Sequence, residues 1–337
     1  MTTQPKTANI TADDVAIAAG VSRWTVNRAF KKDASISPKT RDKVMKIAED
    51  MGYIPDLRAA SLASDRSNLV ALLVDDFSNP HKLVMLERLT TAMRSRGWDT
   101  LLVNTLDAND TAPALMHASR RRVDASILIG LQFDDEVLET VQKAHNIKKL
   151  IIFARRSEQE NTISICVDDR EATLEIANYV AGKGYKKPFY VAGPRTTSAH
   201  LSRKETFAEY WSDTFGTDVQ SLAVGAYDSI LAANAVRARF ENMPRDRLPD
   251  ILVCENDAIA MGAIDAVRHH LGLRVPEDIA VFGFDDVPQA ASPNYRLSTY
   301  RQPMTDMANY LVDVLESNDT TNMDRQFIGT LIIRESA

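Results

Sequence analysis

The sequence predicts a protein of two parts, an all-α headpiece followed by a larger α/β domain of two lobes. Residues 11–52 carry closely spaced helix start and stop signals, whereas from residue 69 onward short runs of Val, Ile and Leu alternate with helical patterns. The net charge of the chain changes sign at about the same place. Residues 1–64 hold ten Lys/Arg and seven Asp/Glu, a net charge of +3, and the remainder carries −9. A basic headpiece on an acidic body indicates a nucleic-acid partner.

The first helix is predicted to begin after Thr11, whose hydroxyl can accept hydrogen bonds from the free amides of the first turn. Two carboxylates follow in that turn, where the positive end of the helix dipole stabilises negative charge. Gly20 is predicted to end it in a left-handed conformation. Small side chains between these signals give an apolar face that a second helix can approach closely: Val15, Ala16, Ala18 and Ala19.

The second helix is predicted to be capped by Ser22, which accepts a hydrogen bond from the amide of Thr25. Its inward positions are Val26, Ala29 and Phe30, and its outward positions are Arg23, Trp24, Asn27 and Arg28. Arg and Asn form bidentate hydrogen bonds to guanine and adenine edges, so the pair of helices is predicted to be a DNA-reading helix-turn-helix. The alternative is two amphipathic helices of an ordinary bundle.

A third helix completes the headpiece. It starts at Ser37 and Pro38 and ends at Gly52. Its apolar face is Val44, Ile47, Ala48 and Met51, and the remaining surface carries Lys39, Arg41, Lys43 and Lys46. Most of these cations are predicted to face solvent, with those nearest helix starts as candidate phosphate contacts. The connector at 54–67 has too few large apolar residues for a stable isolated helix, and its Leu62 is a candidate minor-groove wedge.

Ten apolar runs predict buried parallel strands in two series. They are LVALLV (69–74), TLLVNT (100–105), ASILIGL (125–131), LIIFA (150–154), ISICV (163–167), FYVAG (189–193), SLAVGA (221–226), ILVCE (251–255), IAVFGF (279–284) and FIGTLII (327–333). Helices are predicted between them, including 83–96, 112–122 and 136–145. Two such series predict two lobes with a cleft between them.

Ligands of open α/β sheets bind beyond the carboxyl ends of the strands, so polar residues directly after strands are the candidates for a binding site. They are Asp75, Asp76, Phe77, Asn79, Arg155, Asp168, Tyr227, Asn256, Asp257, Asp285 and Asp286. Carboxylates, amides, an arginine and an aromatic face are suited to a polyhydroxyl ligand such as a sugar. The alternative for each is a helix cap or a lobe-to-lobe hydrogen bond.

Several motifs together resemble the lac repressor/galactose repressor (LacI/GalR) family of bacterial transcription regulators. They are TADDVAIAAGVSRWTVNRAF, SPKTRDKV, GYIP, RAASLA, DDFSNP, VDD, CENDAIAMGA, VPEDIAVFGFDD and LSTYRQP. The resemblance implies a periplasmic-binding-protein-like sensor domain, a hinge leucine at Leu62 that intercalates in the operator, and a sensor arginine at Arg203. It departs from the family at Asn27, Asp56, Ala60 and Thr206.

The residue patterns and the resemblance together give two sets of site residues. The resemblance itself assigns Arg23, Trp24, Arg28 and Leu62 to DNA, and Arg203, Tyr227, Asn256 and Asp285 to the ligand. The DNA-binding set is Thr11, Ser22, Arg23, Trp24, Thr25, Asn27, Arg28 and Leu62. The ligand-binding set is Phe77, Asn79, Arg155, Asp168, Arg203, Tyr227, Asn256 and Asp285.

The patterns do not favour an enzyme. The adjacent Asp285 and Asp286 point to opposite sides of an extended segment, and the sequence has no phosphate-binding glycine loop, nucleophile elbow or metal-ligand spacing. Cys166 and Cys254 lie in apolar runs typical of buried reduced thiols. No catalytic residue, cofactor or metal is predicted, and with no apolar run of membrane-span length and a polar amino terminus, neither is a membrane partner.

The predicted protein is therefore a cytoplasmic regulator, most simply a repressor. Its predicted domains are the headpiece at 1–54, the hinge at 55–67 and the ligand-sensing and dimerisation domain at 68–337. Its predicted partners are near-palindromic operator DNA, a second copy in a homodimer, and a small effector, a sugar or sugar derivative. Alternatives are a two-lobed binding protein without a regulatory role on DNA, a repressor on a sugar-kinase fold, and a corepressor-dependent regulator that responds to a nucleobase or nucleoside.

Overall fold

The computed structural model describes residues 10–31, 34–55, 66–105, 111–131, 133, 148–194, 201–319 and 321–337. The chain divides into two compact units, Met1–Ser67 and Asn68–Ala337. The predicted helix at 136–145, most of the connector, and with them Asp56, Ala60 and Leu62, lie outside the described residues.

The described part of the first unit contains three helices: α1 (Ala12–Ala19), α2 (Arg23–Ala29) and α3 (Pro38–Met51). Each begins at the predicted cap, since the hydroxyls of Thr11, Ser22 and Ser37 accept from the amide three residues on, and Gly20 and Gly52 end α1 and α3 with φ of 64° and 69°. The three helices share one small core of Val15, Ala16, Ala19, Val26, Ala29, Val44 and Ala48. The helix-turn-helix prediction is confirmed.

Two headpiece details differ from the prediction. Ala18 is exposed, because the buried face of α1 is narrower than predicted and contains only Val15, Ala16 and Ala19. Arg41 is half-buried and its guanidinium donates to the carbonyls of Ala29 (3.1 Å), Lys31 (3.0 Å) and Ala34 (3.1 Å). These carbonyls lie at the last residue of α2 and in the segment after it, where helical partners are missing, so Arg41 stabilises the turn into α3 rather than belonging to the solvated face.

The first lobe of the second unit is a six-stranded parallel sheet with the order β11-β5-β4-β3-β1-β2. Its strands are β1 (Leu69–Val74), β2 (Asp99–Asn104), β3 (Ala125–Ile129), β4 (Leu150–Phe153), β5 (Thr162–Val167) and β11 (Arg325–Phe327). Its described helices are α4 (His81–Ser95), α5 (Thr111–Arg120) and α10 (Met304–Glu316).

The second lobe is a four-stranded parallel sheet with the order β7-β6-β8-β9. Its strands are β6 (Pro188–Ala192), β7 (Gln220–Ala223), β8 (Ile251–Cys254) and β9 (Ala280–Phe282). Its helices are α6 (Asp169–Gly182), α7 (Arg203–Phe215), α8 (Ser229–Phe240) and α9 (Asp257–Asp265), which continues as a π-helix over Ala266–His270. One buried apolar cluster includes Val74, Leu89 and Ile176 together with Phe207 and Phe282, so the faces of both sheets share a core.

The last predicted strand is wrong as a single element. Instead of one strand at 327–333, β11 joins the first-lobe sheet, and β12 (Thr330–Ile332) pairs antiparallel with β10 (Thr299–Arg301), which was not predicted. Gly329 separates the two. A side chain there would collide with the backbone of Arg301, and its amide donates to the Tyr300 hydroxyl at 3.0 Å. The segment is one apolar run in the sequence, but its two halves belong to different sheets.

Both cysteines are free and buried, as predicted. Burial raises the pKa of the Cys166 thiol to about 12, which keeps it protonated and unreactive at neutral pH. In the part of the chain that the structure describes, no helix combines the length and apolarity needed to cross a bilayer, and no group of three or more His, Cys, Asp or Glu side chains could hold a metal ion.

Candidate functional site

The outward face of α2 presents the side chains predicted to contact DNA. Trp24 is 64% exposed and Asn27 is exposed. The Arg23 guanidinium is also exposed and lies 3.4 Å from the Asp13 carboxylate, a weak surface ion pair that can exchange for a base edge or a phosphate. The face is therefore free of packing constraints.

Arg28 is held more tightly than the sequence suggests. It is half-buried, its guanidinium lies 4.2 Å from the centre of the Trp24 ring, and it donates to the Ser35 carbonyl. The predicted i,i+4 pairing of Trp24 and Arg28 is thus present as a cation–π contact. The hydroxyls of Thr11 and Ser22 are engaged as caps, and the Thr25 hydroxyl lies 2.9 Å from that of Ser22.

In the second unit, a cavity opens at the carboxyl ends of the strands of both lobes. The cavity and its open mouth together take in about 440 Å³ of empty space. Six of the eight predicted ligand residues line it: Asn79, Arg155, Arg203, Tyr227, Asn256 and Asp285. Lining residues that were not predicted are His81, Lys82, Met85, Ile129, Gly130, Leu131, Phe153, Ala154, Leu201 and Gln302.

The first-lobe wall is built around two buried cations. Lys82 donates from Nζ to Asp75 Oδ1 at 3.0 Å and to the Ile129 carbonyl at 2.8 Å. Arg155, 1% exposed, donates from Nε to the Gly130 carbonyl at 2.6 Å. Gly130 is required here because a Cβ atom would collide with the Asp75 carboxylate. These contacts hold the ends of β1, β3 and β4 in one rigid wall.

Arg203, the first residue of α7, is the central cation of the second-lobe wall. Its Nε donates to Asp169 Oδ1 at 2.6 Å and its Nη1 to the Glu255 carbonyl at 2.9 Å, while the guanidinium stacks 3.5 Å above the Phe284 ring centre. Burial opposes its charge, but Asp169 and Asp285 outweigh that effect and raise the pKa of Arg203 above its ordinary value. Arg203 is a fixed, permanently charged group.

Tyr227 presents its ring rather than its hydroxyl to the cavity. The hydroxyl donates to Glu255 Oε1 at 2.6 Å. Burial and the adjacent carboxylate raise the pKa of Tyr227 well above its ordinary value, so the phenol stays protonated. Gly193 makes room for both partners, because a Cβ atom there would collide with the ring and lie 2.5 Å from Glu255 Oε1.

Asp285 and Asp286 point to different surroundings, as their adjacency predicts. Asp285 faces the cavity and accepts from Gln302 Nε2 at 2.7 Å, with His81 Nε2 at 3.7 Å. Asp286 instead accepts from Arg301 Nε at 2.6 Å and Arg334 Nη2 at 2.7 Å. Burial lowers the pKa of His81, although Asp285 opposes the effect, so the imidazole is neutral at pH 7.

Three cavity residues carry a buried polar atom with no partner among the described residues. They are His81 Nδ1, Asn256 Nδ2 and Gln302 Oε1. The other end of the Asn256 amide is used, since its Oδ1 caps α9 by accepting from the Ile259 amide at 3.0 Å. Leaving buried polar atoms unsatisfied costs free energy, so these atoms define positions at which a polar ligand gains hydrogen bonds.

Comparison with known proteins shows which families and proteins this chain is similar to. The model for "bacterial regulatory proteins, lacI family" matches residues 11–56, and that for "periplasmic binding protein-like domain" matches residues 177–337. The sucrose operon repressor of Escherichia coli is 28% identical over 282 residues, covering 81% of this chain and 83% of that protein. The transcriptional repressor CytR of Escherichia coli is 23% identical, covering 97% and 96%.

The chain belongs to the lacI family of bacterial regulatory proteins. It is a transcriptional repressor of that family with a ligand-binding sensor domain.

Solved structures of lacI-family proteins show the same fold. The lac repressor dimer bound to operator and the anti-inducer ONPF matches with a TM-score of 0.84 at 21% identity, covering 98% of this chain and 99% of that one. The complex of the regulator CelR with cellobiose matches with a TM-score of 0.70 at 22% identity, covering 97% and 100%. The predicted fold class is confirmed.

Two predicted ligand residues of this lacI-family chain lie outside the cavity lining. Asp168 follows β5, but α6 begins at the next residue, so its carboxylate turns back to accept from the Glu171 amide at 3.0 Å as a helix cap. Phe77 is 41% exposed in the segment before α4. Both residues follow a strand, as the rule requires, but the direction that the chain takes after each strand places them outside the cavity.

The missed residues had weak signals in the sequence. His81 and Lys82 come two and three residues after Asn79, in the same strand-end segment, and Gln302 lies in the quoted motif LSTYRQP. Glu255 and Asp169 are each adjacent to a predicted site residue. A search that extended each strand end by one helical turn would have included His81 and Lys82.

Proposed function

We propose that this lacI-family repressor binds a near-palindromic operator as a homodimer and that a sugar or sugar derivative in the sensor cavity controls that binding. The observation that carries the effector proposal is the cavity itself. Fixed cations, the Asp285 carboxylate, three amides and the Tyr227 ring converge there from both lobes, beside three buried polar atoms that have no partner among the described residues. Ring faces and bidentate polar groups are complementary to a polyhydroxyl ring.

For the operator we propose that α2 lies in the major groove, with Arg23, Trp24 and Asn27 reading base edges and the caps Thr11 and Ser22 near phosphates. Thr25 and Arg28 complete this set. Leu62, in the proposed hinge at 55–67, is the wedge at the operator centre. The headpiece at 1–54 offers few base-reading side chains, so two copies are needed for useful specificity.

For the dimer we propose that the sensor domain, residues 68–337, supplies the contact. Leu83 on α4 is 61% exposed, and an exposed apolar side chain of this size is suited to a subunit interface. Ligand binding then alters the relation of the two lobes and, through the hinges, the DNA-bound state. The coupling is reciprocal, so DNA and effector change each other's affinity by the same factor.

The first test is fluorescence anisotropy of a near-palindromic fragment from beside the gene, at fixed salt because phosphate contacts dominate affinity. Pools of sugars, polyols and nucleosides are added in turn. Release by a sugar pool identifies an inducer, and binding only in its presence identifies a corepressor. A response confined to nucleosides would contradict the sugar proposal.

The second test uses Asp285→Ala. Removing a buried charged acceptor costs about 1.5–3 kcal/mol, so we expect the effector response to shift by roughly tenfold or more while operator affinity is kept. The matched control is Asp168→Asn, which removes a nearby carboxylate outside the cavity but keeps a capping side chain. A normal response in Asp285→Ala would refute the cavity assignment.

A further inference from the structure

A second cavity lies at the opposite end of the second-lobe sheet from the sensor cavity. Its walls include Pro188 and Gln220, which begin β6 and β7, and Pro249, which precedes β8. With its open mouth it takes in about 620 Å³ of empty space, against about 440 Å³ for the sensor cavity. Because the two cavities occupy the amino and carboxyl ends of the same strands, a ligand here would not contact the sensor residues.

The floor of this cavity is aromatic. Phe189, Trp211 and Phe240 are each at most 4% exposed, and Phe189 and Phe240 meet edge to face with ring centres 5.1 Å apart. Met243 adds a half-buried thioether side chain. The indole N–H of Trp211 makes no hydrogen bond within the described residues, although the side chain lines the cavity. The floor therefore offers flat apolar surface and a donor.

The rim is cationic. Lys186, Lys187 and Arg247 line it and are exposed, whereas Asp218 is the one carboxylate among the lining residues. Within the described chain no carboxylate lies at ion-pair distance from any of the three cations; Lys187 Nζ donates instead to the Asp246 carbonyl at 2.5 Å.

The neighbouring acid does not neutralise this rim by direct contact. The Asp250 carboxylate accepts from the backbone amides of Lys186 at 2.5 Å and Lys187 at 3.0 Å, and so is committed to the turn before β6. Behind the floor, Arg239 lies 5.6 Å from the Phe189 ring centre and donates to Gln220 Oε1. Three cations therefore line the mouth against a single lining carboxylate, that of Asp218.

We propose that this second cavity is a binding site for a small organic anion with a flat apolar body, of the aromatic carboxylate class. The ring system stacks on the aromatic floor, and the carboxylate meets Lys187 and the planar fork of Arg247 at the rim. Neither half of the site is sufficient alone: a free inorganic anion leaves the floor uncovered, and a neutral arene leaves the cations without a partner. The proposal is independent of the effector bound in the sensor cavity.

The test is isothermal titration calorimetry of the full chain with naphthoate, compared with the neutral naphthalenemethanol. We expect naphthoate to bind at one site per chain and the alcohol to bind about tenfold more weakly, or not measurably. Equal affinity for the two would overturn the proposal, because it would show that the rim cations contribute nothing. So would the absence of naphthoate binding.

Two double variants locate the site. In Lys187→Gln/Arg247→Gln we expect naphthoate affinity to fall about tenfold or more, whereas the matched control Lys183→Gln/Arg245→Gln removes the same charge from exposed positions outside the lining and should change affinity less than about twofold. Equal losses in both would mean general electrostatic attraction and refute the site.

A third variant separates the two cavities. Asp285→Ala alters the sensor cavity alone, so naphthoate affinity should be unchanged in it. If Asp285→Ala changes naphthoate affinity while Lys187→Gln/Arg247→Gln does not, the anion occupies the sensor cavity and the proposal is wrong.

Discussion

The outward face of α2 and the wall of the sensor cavity place arginines in opposite surroundings. Arg23 sits on the headpiece surface with its side chain 61% exposed and one long ion pair, at 3.4 Å. Arg203 is 6% exposed, forms two short hydrogen bonds and stacks on Phe284. An exposed arginine can change partner at little cost, whereas a buried one is part of the fold. The proposed DNA contacts on the headpiece are thus separable from its stability, and the proposed ligand contacts in the cavity are not.

The largest effect should come from Arg203→Met. Removing the cation leaves the Asp169 carboxylate buried without its partner, which costs about 3–5 kcal/mol in the free energy of unfolding. Urea unfolding of the full chain measures it. The control is Arg170→Met, which breaks an exposed pair with Glu209 at 3.7 Å and should cost at most about 1 kcal/mol. Equal losses of unfolding free energy in the two variants would contradict the expected difference between buried and exposed ion pairs.

Arg23→Ala tests the other side of the comparison. If Arg23 reads a base, its loss should weaken operator binding by about 1–3 kcal/mol and leave the unfolding free energy within about 0.5 kcal/mol of wild type. Anisotropy on operator and on random DNA at the same salt gives the two affinities. An equal loss on both would make Arg23 a phosphate contact.

Ser22→Ala should have a smaller effect, confined to the stability of α2. The hydroxyl accepts from the Thr25 amide at 3.1 Å, and losing such a cap costs about 1 kcal/mol. Hydrogen exchange should show about fivefold faster opening of the amides of α2, with little change in α4. Ser22→Asn keeps a capping oxygen and should restore protection. Fast exchange in both variants would rule out the cap as the cause.

The smallest effect should be a pH dependence carried by His81. Burial lowers the pKa of His81 in the folded state below its ordinary value of 6.5. As the pH falls below 6.5 the unfolded chain therefore binds more protons than the folded chain, and the free energy of unfolding decreases. The loss of thermal midpoint between about pH 7 and about pH 5 should be shallower in His81→Gln, while the exposed His270→Gln should keep the wild-type slope. Identical slopes in all three proteins would show that His81 titrates alike in both states.

The headpiece was predictable nearly residue by residue because its signals are local. A cap acts on an amide three residues away, and a glycine ends the helix in which it lies, so Thr11, Ser22, Ser37, Gly20 and Gly52 could be assigned from spacing alone. The exceptions are Ala18, which is exposed, and Arg41. For Arg41 the signal is not local. Its partners are carbonyls seven to twelve residues earlier, and nothing in a pattern of solvated cations distinguishes it.

The sensor cavity was predictable in outline. Five of its lining residues, Asn79, Arg155, Tyr227, Asn256 and Asp285, follow from the rule that sites lie beyond strand ends, because that rule needs only the strand positions, and Arg203 follows from the family resemblance. The rule could not exclude Phe77 and Asp168 or include Gln302, since these depend on where the chain turns after each strand. The division of the run at 327–333 between two sheets likewise depends on Gly329 meeting a distant backbone.

By itself, the sequence determined the order of most helices and strands, the caps of the headpiece helices, the two-part organisation and the family, because these rest on contacts between near neighbours and on motif order. Only the tertiary structure decided that Arg203 pairs with Asp169, that Tyr227 turns its hydroxyl to Glu255, and that a cation-rimmed aromatic cavity lies at the far end of the same sheet. Each of these joins residues more than 25 positions apart, and burial there sets both charge state and orientation.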